Sequence, residues 1–220
     1  MKEITGLYEW EQVMFFMLNA DKDIAEPLAK SIVSTYRNKG FSLGSNHHIA
    51  SVANATLQVN FDNAWPIYGA FLSEDGGFLL FSEIFNMSWL TGAEFNNPFF
   101  QVSERLIKLE SWLLDHQEVA SRMVRYLPLY GPDGEWFSLT KNLIDAHGEN
   151  EAFLGEVSSN LHSMSTVGSR VPYLESRVEL LRSLSDHPIP SVQSWASKEI
   201  DRFEKEIKLE KIRDEEFGLQ

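Results

Sequence analysis

Apolar residues recur at a spacing near 3.6 along all 220 residues of this chain, and sustained period-2 alternation does not occur. That periodicity constrains the fold more than any other feature. A stripe at three- and four-residue steps is one face of a helix, and it must be covered by the stripe of a neighbour. The first helix runs from about Leu7 to Leu18, with Leu7, Trp10, Met14 and Met17 on one face. Asp21 or Asp23 can cap a second, which carries Ile24, Leu28, Ile32 and Tyr36 and stops at Gly40. Ile49, Val52, Ala53 and Leu57 mark a third, and Trp65, Tyr68 and Phe71 a short fourth. Phe78 to Leu90 is apolar nearly all round, and Gly92 to Pro98 breaks the pattern.

Further along, Val102, Leu106, Leu109 and Leu113 form one stripe, and Val119, Met123 and Leu127 another. Trp136, Leu139 and Leu143 mark a helix closed by Gly148, and Phe153, Val157 and Leu161 mark the next. Pro172 opens a helix facing inward through Leu174, Val178, Leu181 and Leu184. Ser191 caps the last one, whose inward face is Val192, Trp195, Ala196, Ile200, Phe203 and Ile207. The fold class is therefore all-α, with short connections and antiparallel neighbours. The expected organisation is one domain over 1–220, softly divided near 92–101, with a charged tail at 208–220 that frays or projects into water. Stacked helix pairs and a globular bundle both satisfy the pattern.

The run Leu180-Leu181-Arg182-Ser183-Leu184-Ser185-Asp186-His187-Pro188-Ile189-Pro190-Ser191-Val192-Gln193-Ser194-Trp195-Ala196 resembles a HEAT-type repeat, over about residues 172–212. Leu181 and Leu184 end one inward face, Asp186 can accept backbone N–H groups in the turn, and Val192 and Ala196 begin the partner face. Gln193 stands where that family usually has Arg, and Trp195 is bulky, which weakens any hydrogen-bond ladder between repeats. The resemblance implies a HEAT-like α-solenoid, a scaffold that presents an extended surface to another protein. From about Ser103 onward the chain is also similar to helical C-terminal segments of large bacterial multidomain proteins.

The formal net charge of −13 argues against nucleic acid and against an anionic membrane surface, since both demand surplus Lys and Arg. It is compatible with a basic protein partner, steered by opposite potential. An acidic immunity or inhibitor-type protein that neutralises a basic toxin or nuclease is the alternative reading. Cysteine is absent, which removes disulfides and thiolate zinc sites. No apolar run reaches the roughly 20 residues that span a bilayer. Acidic Glu3, Glu9 and Glu11 also spoil the N-terminus as a signal peptide. A cytoplasmic protein is expected.

Gly40-Phe41-Ser42-Leu43-Gly44 matches G-x-S-x-G, the turn that exposes a nucleophilic Ser between a strand and a helix. Here a helix precedes it and no βα alternation supplies a sheet, so a hydrolase using Ser42, with His47, His48, Asp145 or His147 as partners, is the least favoured reading. The six histidines are His47, His48, His116, His147, His162 and His187; only His147 with Glu151 approaches a helical metal spacing, and Gly148 interrupts it. Glu74 with Asp75, and Glu149 with Glu151, read as solvated helix ends. No Walker loop or dinucleotide fingerprint occurs. No catalytic residue, metal ligand or cofactor site is assigned, and the chain is expected not to be an enzyme.

One stretch is unusual. Between Lys39 and Arg105 there is no Lys or Arg, yet the segment holds Phe61, Trp65, Tyr68, Phe71, Phe78, Phe81, Phe85, Trp89, Phe95, Phe99 and Phe100. Such rings form either a large aromatic core or a docking surface for a protein partner. For the second reading the candidates are Trp89, Phe95, Phe99 and Phe100.

Overall fold

The computed structural model describes residues 6–39, 46–74, 80, 103–131, 133–163 and 168–218, leaving aside the side chains at 39, 46, 47 and 103. It is all-helical. Among the described residues there are ten α-helices, and extended pairing is confined to one bridge between Tyr130 and Trp136. The chain divides into two compact units, 1–112 and 113–220. The division falls inside a helix, after Trp112; the softer division expected near 92–101 lies outside the described residues.

In the first unit, α1 (Leu7–Ala20), α2 (Ala25–Lys39), α3 (Asn46–Val59) and α4 (Phe61–Leu72) pack α1 on α3 and α2 on both α3 and α4. The side chain of Asp21 accepts the N–H of Asp23 at 2.9 Å and so caps a 3-10 turn, Lys22–Ile24, that leads into α2. The core is apolar and aromatic: Ala29, Ile32, Val33, Tyr36, Val52, Ala53, Leu57, Phe61, Trp65, Tyr68 and Phe71 are buried. The described part of the aromatic segment is thus core. Phe61 stacks on Trp65, with centroids 5.5 Å apart, and Trp65 meets Trp112 of α5 (Ser103–Asp115) edge-on at 5.3 Å. Thr56 Oγ1 donates to the Ala53 carbonyl at 2.7 Å, so the Tyr68 hydroxyl is the donor in its 3.0 Å contact with Thr56. Burial pushes the pKa of that phenol far up.

In the second unit, α6 (Gln117–Met123) runs into a 3-10 turn, Val124–Tyr126. Then come α7 (Ser138–His147), α8 (Glu151–His162), α9 (Val171–Arg182) and α10 (Pro190–Phe217). The largest packing surface here joins α9 to α10, whose stripes read from sequence are buried at Leu174, Val178, Leu181, Leu184, Val192, Trp195, Ala196 and Phe203. Trp136 is not the start of a helix. It lies in the bridge with Tyr130, and its indole N–H donates to the Leu180 carbonyl at 2.9 Å, while Gly134 turns the chain at φ 84°. Ser191 is not the cap of α10 either. Ile189 is the N-cap, Pro190 opens the helix, and Ser191 Oγ donates to the Gly148 carbonyl at 2.8 Å.

The tail also differs from expectation. Helix α10 continues to Phe217, where Gly218 in the left-handed region ends it, and Glu210 and Asp214 are buried. Ser169 donates to Asp214, Arg170 meets Glu206 at 2.6 Å, and Lys211 meets Glu175 at 2.9 Å, so these turns are tied to the start of α9. No helix among the described residues is long and apolar enough to cross a membrane.

Candidate functional site

Two kinds of feature depart from an ordinary helical core: interhelical histidine–carboxylate pairs, and a helix packed with its polar residue inward. Ser42, Trp89, Phe95, Phe99 and Phe100 lie outside the described residues, as does Asp75. The structure does not bring Asp145 and His147 together as triad partners. Asp145 instead accepts from Nε2 of His187 at 2.7 Å and meets Lys141 one turn away. Buried His147 places its Nε2 3.3 Å from the Leu113 carbonyl and its ring edge-on to Phe153, which turns it away from any role with Glu151. No group of three or more His, Cys, Asp or Glu side chains that could hold a metal occurs among the described residues.

His187 takes the part that the sequence reading gave to Asp186. The backbone N–H of Ile189 donates to its Nδ1 at 3.2 Å, so Nε2 carries the proton and donates to Asp145, and Gln193 donates to the His187 carbonyl at 2.6 Å. Asp186 itself is exposed. Partial burial of Asp145 opposes its ionisation and is the largest single influence. Hydrogen bonds from His187 and Lys141, with the charge of Lys141, together outweigh it and hold the carboxyl below its ordinary value.

A denser cluster joins α8 to α10. Glu199, 7% exposed, accepts from Ser158 Oγ at 3.0 Å and from His162 Nε2 at 2.8 Å, and Ser158 accepts from the indole N–H of Trp195 at 2.8 Å. The His162 ring stacks on Phe203 with centroids 4.5 Å apart. Serine, histidine and carboxylate are together, but in the wrong order for nucleophilic catalysis. A triad needs the imidazole between serine and carboxylate, where it takes the hydroxyl proton. Here the carboxylate stands in the middle and accepts from both neighbours across the α8–α10 contact.

The third pair sits on α1. His48 Nδ1 donates to Glu11 Oε2 at 2.7 Å, and Tyr8 meets the His48 ring edge-on at 6.2 Å. Glu11 and Leu18, two turns apart, are the buried residues of α1, Glu11 being 7% exposed. The stripe expected inside is not the packed face: Leu7 and Met17 are exposed, and Trp10 and Met14 only half-buried. On the outward side lie Val13, Phe16 and Met17, with Phe16 76% exposed. The physical reason is that α1 is apolar on nearly every side, so burial of area alone does not choose its rotation. In the rotation adopted, Glu11 faces His48 of α3 and is paired with it at 2.7 Å, so the buried carboxylate is not left alone.

Sequence reasoning passed over this outward face because it sought an amphipathic stripe. The signal was present: a short helix containing Leu7, Tyr8, Trp10, Val13, Met14, Phe15, Phe16, Met17 and Leu18 has more apolar residues than one buried face can take. Exposed contiguous apolar surface on a folded protein marks an interaction site more often than chance. In comparison with known proteins, no protein-family model, no curated protein and no solved structure matches the chain.

Proposed function

We propose that this chain is a non-catalytic helical scaffold, built of stacked helix pairs in the manner of a HEAT-like solenoid, that binds another protein. Its docking element is the outward face of α1. One observation carries the reading: α1 buries Glu11 and leaves Val13, Phe16 and Met17 outside. A helix that served only the core would do the reverse. Interfaces draw most of their energy from a few large side chains that bury fully in the centre of the contact. Phe16 is the largest exposed ring of α1 on this face. The close pairing of α9 with α10, with Pro190 opening α10 and Ser191 joining it to the end of α7 at Gly148, supports the repeat-like arrangement of the second unit.

The test compares the native chain with Phe16→Ser, each immobilised and offered the proteins of its own cell. A partner held by the native chain and released by the variant, with equal helicity and melting temperature, supports the reading. A partner held equally by both would remove α1 from the interface. An activity detected on any substrate and abolished by Ser158→Ala or Glu199→Gln without loss of folding would end the non-catalytic account.

A further inference from the structure

The α1 face also carries information about what covers it. Helix α1 contains no Lys or Arg, and in residues 7–24 the only base is Lys22, against Glu9, Glu11, Asp21 and Asp23. Glu11 is paired with His48, and Asp21 and Asp23 are exposed. The exposed apolar residues Val13, Phe16 and Met17 lead toward the C-terminal end of the helix, where the backbone N–H of Asp21 bonds to the Met17 carbonyl at 2.9 Å. Helix C-termini carry partial negative charge from unpaired carbonyls, and cations are stabilised there. This end adds the carboxylates of Asp21 and Asp23 with the single Lys22 between them, so its local charge stays negative. An apolar face is thereby bordered by negative potential that nothing within α1 balances.

We propose that the α1 face receives a basic amphipathic segment of a protein partner, with apolar side chains against Val13, Phe16 and Met17 and Lys or Arg beside Asp21 and Asp23. The inference rests on the docking role proposed above and names the chemistry of the occupant. Charge complementarity selects this occupant over two others. A second copy of α1 would bring acidic ends against a helix that has no base, a like-charge contact. A membrane surface is served by apolar helices with Lys and Arg on the polar face, which α1 lacks.

The experiment uses the full chain and a labelled Leu/Lys peptide designed as an amphipathic helix, read by fluorescence anisotropy. A Leu/Glu peptide of the same pattern and a scrambled Leu/Lys peptide of equal charge accompany it. The Leu/Lys peptide binds the native chain, at least about tenfold more tightly than either comparison peptide, and binding weakens as salt rises. Phe16→Ser lowers its affinity about tenfold. So does the double variant Asp21→Asn with Asp23→Lys, in which Asn keeps the acceptor for the Asp23-position N–H while the charge is lost.

Equal binding of acidic and basic peptides that still depends on Phe16 would overturn the basic occupant and leave the docking role standing. Binding of the basic peptide that ignores Phe16→Ser would sink both. Phe16-dependent dimerisation of the native chain in sedimentation, or Phe16-dependent capture by phosphatidylserine vesicles, would replace the proposed partner with a second copy or a lipid surface. Met17→Ser serves as a second apolar variant, and must act in the same direction as Phe16→Ser.

Discussion

Substituting Gly148 by Ala should destabilise the second unit, although the backbone there suits alanine. Gly148 has φ −66° and ψ −7°, an ordinary helical conformation, so conformational freedom is not what the position needs. It needs space. A Cβ built on Gly148 would stand 2.3 Å from Val192 Cγ2 and 2.5 Å from the Ile144 carbonyl oxygen, where ordinary contacts lie at 3.4–4 Å. Val192 is fully buried at the start of α10, and that carbonyl already accepts the Gly148 N–H at 2.9 Å, so neither can retreat freely. Inserting one methyl group into a packed site of this kind costs about 1–3 kcal/mol. Loss of unfolded-state freedom returns about 0.4–1 kcal/mol. The net is about 1–2 kcal/mol, or a fall in melting temperature on the order of 5–10 °C for a unit of this length. Thermal unfolding followed by circular dichroism reads it directly, and a double-mutant cycle with Val192→Ala should show the Gly148→Ala cost shrinking once Cγ2 is gone. A Gly148→Ala protein as stable as the native chain, or more so, would refute the close approach of α7 to α10.

Three other outcomes follow from the polar pairs. Glu199→Ala should cost about 2–4 kcal/mol in denaturant unfolding, because it strips Ser158 and His162 of their shared acceptor within the α8–α10 contact. Asp145, with its pKa lowered in the fold, contributes stability that is present above its unfolded pKa and is lost as pH falls through the folded value. Asp145→Asn should therefore flatten the acid limb of the stability–pH curve below about pH 4, leaving the remaining carboxylates to set it. The double variant Glu11→Leu with His48→Leu should be neutral or stabilising in thermal unfolding, while Glu11→Leu alone leaves His48 without its carboxylate and lowers the midpoint. A double variant less stable than either single change would mean that the pair stabilises α1 instead of selecting its orientation.

The sequence pattern was legible wherever polar residues alternate cleanly with apolar ones. Leu174, Val178, Leu181, Val192 and Phe203 were read as inward and are buried, because Glu175, Glu179 and Asp201 mark the opposite faces. It failed in α1, where apolar residues occupy almost every direction and the deciding contact is Glu11 with His48, 37 positions later in the chain. It failed again at Glu210 and Asp214, read as part of a solvated charged tail, and left Glu199 unread, although all three share the three- and four-residue spacing of Val192, Ala196, Phe203 and Ile207. A carboxylate in register with a buried stripe needs a partner, and Glu199 finds two of its partners on α8. Trp136 was misplaced because a large apolar residue before a stripe looks like its first member, whereas a distant carbonyl at Leu180 and the turn at Gly134 hold it in the bridge. No local rule reveals contacts of that range.

The orientation of α1 is the point on which the functional account turns, and the melting temperature of Phe16→Ser measured beside Leu18→Ser tests it most directly. With Phe16 facing outward and Leu18 1% exposed, the first variant should melt within about 0.5 kcal/mol of the native chain while the second loses about 2–4 kcal/mol. The opposite ranking, with Phe16→Ser the more damaging, would put Phe16 in the core and leave α1 with no face to offer a partner.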